Sequence, residues 1–123
     1  MKRTLILLAA LAALALPLSA PAGTSAPATR LAGTTMDPMV ITLKKAGTRV
    51  TRLKRGRYAI TVSDRSRFHD FWIVGPGLRA KQLTTLGFVG RKTVTVSLGR
   101  AGRYEFYCRP HRSMGMRGYF RVT

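Results

Sequence analysis

Gly102-Arg103-Tyr104-Glu105-Phe106-Tyr107-Cys108-Arg109-Pro110-His111-Arg112-Ser113-Met114-Gly115-Met116 reads as a strand that runs into a loop. In the two-residue period of a strand, Tyr104, Phe106 and Cys108 share one face, so the side that turns toward a core carries the thiol inward with the aromatics. Beyond Cys108 the chain must turn. Pro110 fixes its own φ and stiffens that turn, which lets His111 come back toward Cys108. Gly115 is permissive enough to let Met116 close the loop before a last strand from Gly118 to Thr123. One loop thus presents a thiol, an imidazole and a thioether.

Working outward, the same alternation recurs along the chain. Strands are expected at Val40 to Leu43, at Arg49 to Leu53, and from Tyr58 through Ile60 and Val62. Further strands are expected at Phe68 to Val74 and at Thr93 to Leu98. Ala46-Gly47, Lys54-Arg55-Gly56, Gly75-Pro76-Gly77 and the pair Gly99 and Gly102 punctuate them. Leu78 to Gly90 has weak periodicity that fits a strand, a loop or a helical turn alike. No segment carries a convincing helical stripe, and about seven short strands at this spacing predict an all-β fold, a Greek-key β-sandwich.

The only other histidine, His69, shares parity with Phe71 and Ile73, which turns its imidazole inward near the end of a separate strand. With one cysteine and two histidines in the chain, no spare residues of these types compete. A lone cysteine is usually a small buried hydrophobe and a lone histidine a satisfied core residue. Here their company overrides both readings. His69, Cys108, His111 and Met116 make a complete set for one copper ion, because a thiolate, two imidazoles and a weak axial thioether suit both oxidation states. Met114 is the rival thioether and would need a shorter loop. Met36 and Met39 around Asp37-Pro38 are read as domain-edge packing rather than as a second, methionine-type copper patch. Trp72 has the parity opposite to His69 and is expected to pack on the sheet, partly exposed.

At 123 residues with 46% hydrophobic composition, the chain has room for a single core. Lys2 and Arg3, the apolar run Leu5 to Leu16 and then Ser19-Ala20-Pro21-Ala22 have the layout of an export signal, with cleavage expected after Ala22. The apolar run is shorter than the roughly 20 residues a spanning helix needs. No transmembrane anchor is therefore expected after processing, and the protein should be periplasmic or extracellular. In an oxidising compartment an unpaired thiol calls for something to occupy it, and a metal does so. Residues 1–22 are accordingly read as signal, 23–35 as a flexible Gly/Thr/Ser/Ala/Pro linker and 36–123 as the folded domain.

At these residues the chain resembles the cupredoxins, in particular the plastocyanin and pseudoazurin type of small blue copper protein. The shared pattern is Cys-x-x-His-x-x-x-x-Met at Cys108, His111 and Met116, with the single upstream His69 and Gly-x-Tyr-x-Phe-x-Cys at Gly102 to Cys108. The likeness extends over about Val40 to Thr123. It implies one type 1 copper, with His69, Cys108 and His111 equatorial, Met116 axial and His111 near the surface as the electron port. The chain departs from the family at Asp70, where asparagine is common and its amide helps tie the two ligand loops together. A carboxylate accepts hydrogen bonds but does not donate them.

The function that follows is one-electron transfer between partners. A copper chaperone or sequestration protein is the alternative on the same fold, and a polyanion-binding module with a structural metal is the third. Four protein donors leave no open position for substrate, and the four acidic residues form no acid–base pair, so no enzyme activity is expected. The net charge of +18 favours an acidic redox partner, with an anionic cell surface as a second candidate contact. Arg49, Arg52, Lys54, Arg55 and Arg57 form a basic cluster that is either a solvated face or such a docking surface. Specific nucleic-acid binding is not expected, given the export signal, and the protein should be a monomer.

Overall fold

β-branched and aromatic residues at alternate positions give the chain ten strands and no α-helix in the computed structural model, which describes residues 16–123. In order these are β1 (Thr29–Met36), β2 (Val40–Lys45), β3 (Thr48–Arg49), β4 (Arg52–Leu53) and β5 (Gly56–Asp64). Then come β6 (Phe71–Gly75), β7 (Leu78–Thr84), β8 (Gly90–Leu98), β9 (Gly102–Tyr107) and β10 (Arg117–Val122). They form two five-stranded sheets, ordered β3-β2-β1-β5-β8 and β4-β10-β9-β6-β7. Each is mixed, because β1 runs parallel to β5 and β4 parallel to β10 while the other pairs are antiparallel. The β-sandwich expected from the sequence is the fold observed.

The two inner faces supply the core. Ile60, Val62, Phe71, Ile73, Leu83, Leu98 and Tyr104 are fully buried between the sheets, and each large apolar side chain withdrawn from water stabilises the fold by about 1.5 to 3 kcal/mol. Phe71 stacks on Phe106 at 5.9 Å, and Tyr104 on Phe120 at 5.5 Å. The Tyr104 hydroxyl lies 2.8 Å from the Pro76 carbonyl and 2.9 Å from that of Arg100, so its proton ties two turns to the core.

Three boundaries differ from the sequence reading. The linker expected over 23–35 ends early, because Thr29–Met36 is strand β1, hydrogen-bonded between β2 and β5. Its buried face is Leu31, Gly33 and Thr35, only one of them a large apolar residue, so its alternation is nearly silent in composition. Gly33 is glycine for a reason: a Cβ there would come within 2.9 Å of the Phe71 ring. The expected strand Arg49 to Leu53 is in fact two, since the chain leaves one sheet at β3 and enters the other at β4. Val50 N–H donates to Leu43 in the first sheet and Thr51 accepts from Arg121 N–H in the second, so the crossing takes one peptide. Phe68, placed at a strand start, is exposed, and β6 begins only at Phe71. The segment whose reading stayed open, Leu78 to Gly90, contains β7 followed by a loop.

Residues 1–15 lie outside the described residues, and with them most of the signal expected over 1–22. Among the described residues no helix is long and apolar enough to cross a membrane.

Candidate metal centre

Two loops meet at one end of the sandwich: the β5–β6 connection with His69 and Asp70, and the β9–β10 loop from Cys108 to Met116. The second is closed by its own backbone. Cys108 N–H donates to the Met116 carbonyl at 3.0 Å and Met116 N–H to the His111 carbonyl at 3.1 Å. Between them Arg112–Met114 makes one 3₁₀ turn, ended by Gly115 in the left-handed region at φ 93°, where a side chain would be strained.

His69 and Cys108 are buried and His111 is half-buried. Their ligating atoms converge. The two Nδ1 atoms are 3.1 Å apart, and Cys108 Sγ lies 3.4 Å from Nδ1 of His111 and 3.7 Å from Nδ1 of His69. A circle through three points with those separations has a radius of about 2.0 Å, within the range of roughly 2.0 to 2.3 Å at which imidazole nitrogen and thiolate sulfur bind a late first-row metal. Such close approach of three donor atoms makes sense with a cation between them. The residues present therefore fit the ion that the donor set implies. Met116 is buried at the end of the same loop, whereas Met114, the rival thioether, sits on the 3₁₀ turn and is 62% exposed.

The surroundings fix these donors. Asp70 couples the two loops through its carboxylate, which accepts the Arg109 backbone N–H at 2.7 Å and the Trp72 indole N–H at 2.8 Å. Burial pushes the Cys108 thiol up, and backbone N–H groups of Asp70 and His111 aimed at the sulfur work against that rise. The charge of Arg112, next to His111 in the chain, is offset: its guanidinium forms a two-point pair with Glu105 at 2.8 and 2.6 Å and lies over the Tyr107 ring. That pairing raises Arg112 further above its ordinary value.

Sequence reasoning missed the residues behind His69. Its second nitrogen, Nε2, lies 3.0 Å from Asp37 Oδ1 but is without an aligned hydrogen bond, so the contact is electrostatic rather than a formed bond. Asp37 in turn accepts from Ser66 Oγ at 2.8 Å. Ser66 is held by the buried Asp64, which takes the Ser66 backbone N–H and the Thr84 hydroxyl. A ligand histidine backed by a carboxylate is a recurring arrangement in metal sites. The signal available was scarcity: three of four acidic residues, Asp37, Asp64 and Asp70, gather at this end.

Comparison with known proteins agrees with this chemistry. Residues 76–123 match the family described as copper binding proteins, plastocyanin/azurin family. No characterised protein matches the chain by sequence alone. Among solved structures, rusticyanin from Thiobacillus ferrooxidans is similar at 20% identity with a TM-score of 0.54, over 80% of this chain and 79% of that one. Auracyanin B is similar at 16% identity with a TM-score of 0.59, over 82% and 93%. A multi-copper oxidase from Pediococcus acidilactici has a TM-score of 0.50 at 15% identity, and this chain covers only 29% of it. Rusticyanin and auracyanin fit alike, so the finer plastocyanin or pseudoazurin subtype is not singled out. The ion is copper, one per chain. The matched segment runs from the β6–β7 turn through the loop of Cys108, His111 and Met116, and the sandwich is shared along most of the chain's length with these copper proteins, so the chain has the cupredoxin fold.

Proposed function

We propose that the protein is exported and carries single electrons between redox partners, with His69 Nδ1, Cys108 Sγ and His111 Nδ1 as the three strong copper ligands and Met116 as the weak axial one. The observation that carries this reading is the buried triangle of two imidazole nitrogens and one sulfur, already close enough to share an ion. Copper supplies the one-electron couple. The chain's residues hold both oxidation states in nearly one geometry: packed strands set Cys108 and the start of β6 behind His69, while the hydrogen-bonded loop sets His111 and Met116. Little rearrangement between states favours rapid transfer.

His111 is the half-exposed member and so the route by which an electron reaches a partner. Around it the exposed large apolar residues of the domain cluster in loops at this end: Met39, Phe68, Leu86, Val89 and Met114. Such a patch suits a transient partner that must dock close and leave. The strongly basic surface favours an acidic one. Rusticyanin, a copper protein of similar fold, has been solved in a reduced form, which supports a redox role for the shared architecture. The apolar leader with Lys2 and Arg3 supports export.

Adding Cu(II) to the purified apo protein should give one equivalent of binding and intense visible absorption from thiolate-to-copper charge transfer, both lost in Cys108→Ser. A colourless protein would overturn the reading. Reversible one-electron voltammetry with no copper lost to a competing chelator separates a carrier from a copper chaperone, for which the metal would leave readily.

A further inference from the structure

At the pole opposite the metal centre, five cations border a groove of about 790 Å³: Lys45, Arg52, Lys54, Arg55 and Arg57, above a floor that includes Tyr58. We infer that this groove and its rim dock the protein on the surface of an anionic phospholipid bilayer, with the metal centre facing away. The inference is independent of the metal and goes beyond electron transfer.

Charge is the first support. The chain's four acidic side chains are all engaged elsewhere: Asp37, Asp64 and Asp70 at the metal end, and Glu105 with Arg112. No acidic side chain lines the groove to neutralise it. Lys54, Arg55 and Arg57 are exposed, and Arg52 leads strand β4 from the same edge. Like charges held together without partners destabilise a fold unless an external anion meets them.

Position is the second. Strand β5 starts at Gly56 beside the groove and ends at Asp64, which anchors the loop of His69. The eight steps between the nine residues of β5, at roughly 3.3 Å each, separate the two poles by about 26 Å, so a redox partner seated on the cations would sit far from His111. Ser25, Ala26 and Pro27 form one wall of the groove, where the chain enters β1. The segment kept after the cleavage expected at Ala22 therefore lies along this side. Cations beside an anionic leaflet, with the reactive end pointing outward, form a coherent arrangement.

Among the described residues every buried core residue lies between Leu31 and Val122, so the chain from Gly23 to Thr123 holds this core and can be tested without the apolar leader. It should sediment with vesicles containing about 30% phosphatidylglycerol in phosphatidylcholine at low salt, copper-loaded or not, and should ignore pure phosphatidylcholine. The triple variant R52Q/K54Q/R55Q should weaken this binding roughly 100-fold, at about fivefold per charge near an anionic surface. A control with equal charge loss at the metal end, R65Q/R91Q/K92Q, should weaken it by far less. Equal losses in the two triples would mean that net charge alone acts and would overturn the assignment. So would absence of vesicle binding, and so would capture by polyglutamate without capture by vesicles, which would give the face to an acidic protein.

Discussion

Asp37 places a carboxylate behind His69, on the nitrogen that faces away from the donor triangle. A negative charge there stabilises the more positive, oxidised site. At about 7 Å from an ion between the donors, and at an effective dielectric between that of a protein surface and that of water, the interaction is on the order of 1 kcal/mol. Asp37→Asn should therefore raise the reduction potential by on the order of 50 mV, measured by voltammetry, with the blue absorption retained. Asp70 answers a different question. Both groups that approach it, Arg109 N–H and Trp72 N–H, are donors, so a carboxylate with acceptors on both sides serves where asparagine would turn an amide toward one of them. Asp70→Asn should cost about 1 to 3 kcal/mol of stability, followed by urea unfolding on the fluorescence of Trp72, the only tryptophan. The cluster of His69, Cys108 and His111 was legible from parity and spacing, because Cys108 and His111 are local to one loop and His69 was read on a face with core residues. Asp37 was not legible, since its role depends on the fold bringing the β1–β2 turn against His69.

The loop that carries Cys108, His111 and Met116 depends on the strands at either end of it. Gly118, one residue into β10, pairs with Phe106 of β9, and a Cβ at that position would clash with the edge of the Phe106 ring. That ring packs on Phe71 and Phe120 and has nowhere to move. Overpacking of a filled core costs about 1 to 3 kcal/mol. Gly118→Ala should therefore lower stability by about 2 kcal/mol in thermal unfolding and, by displacing β10, weaken copper retention in a chelator competition. Strands such as β5, β8 and β9 were readable because large apolar residues alternate with polar ones along them. β1 was hidden because close packing against Phe71 demands glycine at Gly33, and because Thr35 takes a buried position that composition assigns to a surface or linker. The break between β3 and β4 was hidden for another reason: a change of sheet leaves no mark on alternation when it takes a single peptide.

The hydrophobic core and the metal centre are separate parts of the molecule. The contiguous core runs from Leu31 through Phe71, Tyr104 and Phe120 to Val122, and His69, Cys108 and Met116 lie outside it. A core that closes without the donors predicts a protein that folds without copper. The donor cluster, by contrast, gains from the ion: the two Nδ1 atoms and the Cys108 sulfur stand 3.1 to 3.7 Å from one another, and the buried thiol loses its proton when a metal binds. An ion held only by the native state adds about 2.7 kcal/mol at a free concentration one hundred times its dissociation constant. For a domain of this size each kcal/mol moves the melting temperature by about 4 to 8 °C. Removing copper should thus leave the far-ultraviolet circular dichroism of a β protein unchanged at 25 °C and lower the melting temperature by roughly 10 to 20 °C. Loss of the β spectrum on metal removal would mean that the ion, not the packed sheets, holds the two ligand loops to the sandwich.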